Sequence, residues 1–263
     1  MKATETYYNS SNLNITEDMN MNIIKTKNYD EMSIKAAEIF ISQIKSKPNS
    51  VLGLATGSSV LGLYESLIKS HKNDNLDFSN IKTVNLDEYA GLDGTNDQSY
   101  RYYMDNNLFN HINIKPENTH LPDGLAKDLQ AECKKYNSDI SSLGGIDIQL
   151  LGLGLNGHIG FNEPDDVFVK ETHLVGLEES TIEANSRFFA DKKDVPRQAI
   201  TMGIQNIMHA QKIVLCVSGK AKASILKDVL FGEITPKVPG SILQLHPNLI
   251  VVADEDALSE IAL

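Results

Sequence analysis

Four stretches of this 263-residue chain combine reactive side chains with turn-forming residues. The richest is Gly152-Leu153-Gly154-Leu155-Asn156-Gly157-His158-Ile159-Gly160-Phe161-Asn162-Glu163-Pro164. Its glycines let backbone pack closely around a ligand. Histidine as a residue type can change charge near neutral pH, which suits protonation of a ring oxygen. If the loop folds back, Asn156, His158 and Glu163 converge as an oriented acid/base unit, the logic of a triad without a serine. A lone histidine is usually structural, but one in so glycine-dense and polar a loop fits that reading poorly. No HExxH or paired-histidine spacing points to a metal.

The second stretch is Asn85-Leu86-Asp87-Glu88-Tyr89, two acids directly after an apolar run. A carboxylate there suits a general base for a carbon acid. A solvated strand end or a helix N-cap is the plainer alternative. The third, Thr56-Gly57-Ser58-Ser59, has Gly57 for a tight turn and serines beside helix N–H groups that can face an anion. It is not a Walker motif, and an N-cap from Ser58 or Ser59 is the simpler account. The fourth is Ser218-Gly219-Lys220-Ala221-Lys222, where a lysine can hold a phosphate as a point charge or merely sit solvated in a first helical turn. Arg187, in Ala184-Asn185-Ser186-Arg187-Phe188-Phe189, has aromatic company and so calls for an anionic partner, bound or internal.

These stretches need elements to position them. Met21 to Lys27 reads as a short strand, and Ile34, Ala37, Ile41 and Ile44 mark a helix over 33–44. Val51 to Thr56 is an apolar run too short for a helix, and Val60, Leu63, Tyr64 and Leu67 then share a helical face. Strands are expected at 81–86, 147–154, 200–204, 212–217 and 249–252, and helices at 98–109, 126–140 and 221–230. Strands alternating with helices imply a single α/β domain, a Rossmann-like parallel sheet with helices on both faces. Ligands of such sheets bind outside the carboxyl ends of the strands, where all four stretches fall.

Bulk properties narrow the function. The net charge of −11 argues against nucleic acid, whose phosphates need a basic face. Cys133 and Cys216 lack CxxC partners, so neither a disulfide framework nor a zinc site is implied, and a reducing cytoplasm is the simplest compartment. No run is long and apolar enough for a membrane. Residues 1–20 are rich in Asn, Ser and Thr and read as a disordered tail, with the patterned domain over 21–263.

Taken together, the segments resemble the glucosamine-6-phosphate deaminase (isomerase) family. The most specific pieces are Asn85–Tyr89, Asn156–Pro164 and Ala184–Phe189, with Leu243-Gln244-Leu245-His246-Pro247 as a further family-like string. The resemblance implies a modified doubly wound fold and conversion of glucosamine 6-phosphate to fructose 6-phosphate and ammonia. It implies that Asp87 moves a proton from C2 to C1, and that His158 opens the ring. Glu163 would support His158, with Asn156 standing where many members carry Asp. Gly57, Ser58, Ser59, Arg187 and Lys222 would hold the phosphate. It implies no cofactor and no catalytic metal.

Three departures stand out. The phosphate turn reads Thr-Gly-Ser-Ser where Thr-Gly-Gly-Thr is common, which implies tuning rather than loss. Asn156 carries no charge, which leaves Glu163 as the expected dominant electrostatic partner of His158. In the stretch after Pro164, His173 and Val175 fall at two positions that are basic in allosteric members, and Asp166 falls where a small polar residue helps hold phosphate. Activation by N-acetylglucosamine 6-phosphate is therefore not expected, and a homo-oligomer is left open. The rival readings are galactosamine-6-phosphate isomerase, 6-phosphogluconolactonase and a sugar-phosphate sensor. The sensor would need a DNA-binding helix-turn-helix, for which residues 1–20 are too short and polar.

Overall fold

The computed structural model describes residues 21–177 and 195–262. The expected tail over 1–20, and Arg187, lie outside the described residues.

Seven strands form one parallel sheet: β1 (Asn22–Thr26), β2 (Val51–Leu54), β3 (Lys82–Asn85), β5 (Thr119–His120), β6 (Ile148–Leu151), β9 (Ile213–Val217) and β10 (Leu249–Asp254). Their spatial order is β1-β10-β9-β6-β2-β3-β5. Every residue of β2, β6 and β9 is buried, as it must be when both faces of a parallel sheet are covered.

The first helix, α1 (Tyr29–Ser46), begins earlier than the apolar spacing suggested. The Asn28 side chain accepts from the Glu31 N–H, satisfying one N-terminal donor and fixing the start. Met32, Ala36, Ala37, Phe40 and Ile44 form its buried stripe against α2 (Leu61–Asp74), β9 and β10. Burying Phe40 alone is worth about 1.5–3 kcal/mol. Among the described residues, the other α-helices are α3 (Tyr100–Asn107), α4 (Leu129–Ser142), α5 (Ile204–Met208) and α6 (Ala223–Phe231).

One expectation needs correcting. The run over 200–204 is not a strand of the main sheet. Its first part belongs to β8 (Gln198–Thr201), which pairs antiparallel with β4 (Asp87–Tyr89) and β7 (His173–Gly176) in a separate three-stranded sheet. Ile204 instead opens α5. A short apolar run states burial but not pairing direction, which tertiary packing decides.

The topology creates the crevice. After β2 the chain moves outward through β3 to β5. It then returns to the other side of β2 and moves away through β6 and β9. Connections on either side of β2 and β6 diverge, and the loops at their carboxyl ends leave an opening between them.

Candidate active site

A cleft of about 500 Å³ lies at this switch point. It gathers Gly57, Ser58, Ser59, Asp87, Asn156, His158 and Lys222 from segments far apart in sequence. Glu163 stands behind His158. Of the residues predicted for the site, Arg187 alone falls outside the described part of the chain.

The turn after β2 is built by glycine. Gly57 has φ +103°, a backbone conformation that suits glycine. Ser58–Val60 then form one 3₁₀ turn leading into α2, with no side-chain cap bond. The serines are thus not spent as N-caps. Tyrosines fix the turn from behind: Tyr103 Oη donates to the Gly57 carbonyl and Tyr29 Oη to that of Ser58, both at 2.8 Å. Lys222 enters from the turn after β9, and its Nζ donates to the Leu153 carbonyl at 2.5 Å. Partial burial lowers its ammonium pKa below the ordinary lysine value. A cation beside a serine-lined turn and a helix start is a suitable cradle for a phosphate.

The glycine-rich loop leaves β6 and turns back on itself. The Gly154 N–H donates to the His158 carbonyl at 3.0 Å, and Gly157 makes the reversal at φ +85°. A side chain at Gly154 would overlap the His158 ring, so this glycine creates the seat of the imidazole. His158 Nδ1 lies 3.1 Å from Glu163 Oε1, an ion-pair distance at an angle short of a linear hydrogen bond. Asn156 Nδ2 donates to Glu163 Oε2 at 2.5 Å, and Asn156 Oδ1 accepts the His158 N–H at 3.2 Å. The loop does fold back, and it brings all three groups together.

Asp87 and Glu88 part ways despite adjacency. Successive strand residues point to opposite faces. Glu88 turns inward and accepts the N–H groups of Tyr89, Tyr100 and Arg101 at 2.8–2.9 Å, so it caps α3. Burial raises its pKa, and those three bonds oppose the rise. Asp87 faces the cleft with only 6% of its surface exposed. Burial first, and the neighbouring Glu88 charge second, push its carboxyl up to about 8. A carboxylate so poised is a far stronger base than one in water, which suits abstraction of a weakly acidic carbon-bound proton.

Other cleft residues carried no sequence signal. Tyr100 packs nearly parallel to Phe161, with 6.0 Å between ring centroids. Burial raises its phenol pKa well above the usual value, so it remains a neutral hydroxyl. Tyr100 sits at the start of α3, where nothing in the periodicity distinguishes it from a surface tyrosine. The string Leu243–Pro247 proves to be structural: buried His246 bonds the Ala210 carbonyl and accepts the Asn248 N–H.

Comparison with known proteins agrees with this architecture. The family model for glucosamine-6-phosphate isomerases/6-phosphogluconolactonase matches residues 27–251. A glucosamine-6-phosphate deaminase of Thermoanaerobacter pseudethanolicus is 56% identical over 239 residues, covering 91% of this chain and 94% of that protein. One from Clostridioides difficile is 55% identical over 241 residues, covering 92% and 97%. The solved structure of a monomeric glucosamine-6-phosphate deaminase superposes with a TM-score of 0.88 at 48% identity, covering 91% of this chain and all of that one. The 6-phosphogluconolactonase of Thermotoga maritima, at 17% identity and a TM-score of 0.69 over 89% of this chain and 99% of that one, shares the fold alone. With these matches spanning the strands, the glycine-rich loop and the Asp87 segment alike, the chain belongs to the glucosamine-6-phosphate isomerase/6-phosphogluconolactonase family.

Proposed function

We propose that this protein converts glucosamine 6-phosphate to fructose 6-phosphate and ammonia. The observation that carries this reading is the cleft itself. It pairs a buried carboxylate with a histidine–glutamate unit, and a separate cationic, serine-lined turn lies beside them.

The division of labour follows from the substrate. The C2 proton of the closed ring is not acidic. His158 exchanges a proton with the ring oxygen and opens the ring, giving an aldehyde at C1. Glu163 orients the imidazole and supports its positive charge, while Asn156 holds Glu163. Asp87 then removes the C2 proton, with the electron pair moving into an enolamine, and returns a proton to C1. The resulting C2 imine takes up water and releases ammonia, leaving the ketone. Each well-placed acid or base contributes about 10²–10⁴-fold. The phosphate is held by Gly57–Ser59 and Lys222, joined by Arg187 as the family resemblance implies. That anchor sets the distance from Asp87 to C2.

The surface after Pro164 supports the absence of activation by N-acetylglucosamine 6-phosphate. Asp166 pairs with Lys237 at 2.6 Å, which occupies that lysine. Val175 has no charge and packs against a small core with Phe161 and Leu177. Burial lowers the pKa of His173, which disfavours a positive charge on its ring. Hyperbolic kinetics unchanged by that sugar phosphate are expected. Sigmoidal kinetics that it abolishes would overturn this part.

The test of the main reading is ammonia and fructose 6-phosphate formation from glucosamine 6-phosphate. Galactosamine 6-phosphate and 6-phosphogluconolactone serve as rival substrates. Turnover of the gluco sugar is expected. Hydrolysis of the lactone alone would overturn the reading, because that reaction needs no base at C2.

A further inference from the structure

Asp87 and His158 stand on different parts of the fold. Asp87 belongs to the small antiparallel sheet, and His158 to a loop of the large parallel one. Proton transfers by two groups on one small sugar require a fixed separation between them. The contact that sets it is found at the end of β8.

Thr201 is fully buried and sits directly opposite Asp87 in the β4–β8 ladder. Directly opposed residues project to the same face. Thr201 Oγ1 accepts the N–H of Phe161, in the glycine-rich loop, at 3.0 Å. One residue on, Met202 grips both sides: its N–H donates to the Leu86 carbonyl at 2.6 Å, and its carbonyl accepts from Asn162 Nδ2 at 2.9 Å. Gly160 lies between. A side chain there would stand 3.1 Å from Thr201 Oγ1 and 3.4 Å from Asp87 Oδ2, at φ +58°. A glycine at residue 160, in a left-handed conformation with little room for a side chain, and an acceptor at residue 201 thus favour the close approach of the loop to the base.

We propose that Thr201 is a positioning residue that ties the His158 loop to the strand carrying Asp87 and so fixes the spacing of base and acid. The proposal rests on the deaminase reading. Thr201 is not among the residues that line the cleft. Its effect is on geometry, and a misplacement of about 1 Å can cost roughly 10²-fold in rate. The phosphate cradle lies on other loops, so binding is spared.

The test compares Thr201→Val, Thr201→Ser and Gly160→Ala with wild-type protein. Thr201→Val keeps the shape and removes the acceptor. Its kcat should fall about 10–100-fold, with KM within about threefold. Thr201→Ser restores the acceptor and should keep at least about a third of wild-type kcat. Gly160→Ala pushes the loop off the strand and should resemble Thr201→Val even if the valine variant folds poorly. Amide exchange at Phe161 gives a readout independent of turnover, slow in wild type and Thr201→Ser and fast in Thr201→Val. Wild-type kcat in Gly160→Ala, a serine variant as impaired as the valine one, or Phe161 exchange unchanged by valine would each overturn the proposal. Wild-type protein inactive on glucosamine 6-phosphate would instead overturn the deaminase reading, while the exchange comparison would still decide whether Thr201 holds the loop.

Discussion

The two sheets serve the site in different ways. The seven-stranded parallel sheet contributes the loops beyond its strand ends: the Gly57 turn, the glycine-rich loop and the Lys222 turn. These groups are partly wet, and the His158 side chain remains 28% exposed. The three-stranded antiparallel sheet contributes residues from within its strands, Asp87 and Thr201, both buried. The difference teaches why a second sheet is useful. An anion can be held by backbone and cations at a solvated rim. A carboxylate that must take a proton from carbon gains from a dry, rigid mount, because burial raises its basicity.

The sharpest way to break this comparison is Asp87→Asn, which keeps the dry mount and removes the base. Activity should fall by at least about 10³-fold, with the protein still folded. In wild type the acid limb of kcat/KM should lie near Asp87's pKa of about 8, well above the ordinary carboxylate range, since only the ionised form acts. Stability gives a second view. The folded carboxyl holds its proton up to about 8, whereas in the unfolded chain it is released near 3.8. The unfolded state therefore binds fewer protons between those values, and this group's contribution falls as pH rises from about 4 to about 8. Thermal melts across that window should show a shallower decline in Asp87→Asn. A steeper one would mean that the folded carboxyl is not the group held protonated.

On the wet side, His158→Asn should cost about 10²–10³-fold, and Glu163→Gln about 10–100-fold. If Glu163→Gln were silent in both rate and pH profile, Glu163 would not be the main support of His158. Lys222→Met probes the rim alone. It should raise KM about 10–100-fold and lower kcat far less, the pattern of lost uniform binding. A kcat loss at unchanged KM would move Lys222 from anchor to chemistry. The smallest effect is expected for Asn156→Ala. It removes one hydrogen bond from an uncharged amide to the Glu163 carboxylate and should cost roughly threefold to tenfold.

Much of the large sheet was legible because its strands are short apolar runs bounded by glycine and polar turns. The runs at 51–56, 212–217 and 249–252 became β2, β9 and β10 with small shifts of boundary. Of the small sheet only β8 was legible, in part, through the apolar run that begins at Ile200. β4 is three residues long and carries two acids, and β7 is only partly buried, so neither shows a strand pattern. Glu88 illustrates the limit at the site. Sequence places two acids side by side, and only the pleat and the start of α3 decide that one is a helix cap and the other a candidate base.

The sequence by itself determined the chemical groups, their order along the chain and the turns that hold them. Glycine, serine, lysine and histidine at strand ends carry local meaning that survives without a fold. The tertiary structure alone decided which of these groups meet, how dry each one is, and that Thr201 stands beside Asp87. Burial and spacing arise from contacts between residues distant in sequence, from 40 positions for Thr201 and Phe161 to more than 100 for Asp87 and Thr201, and local sequence does not encode such distances.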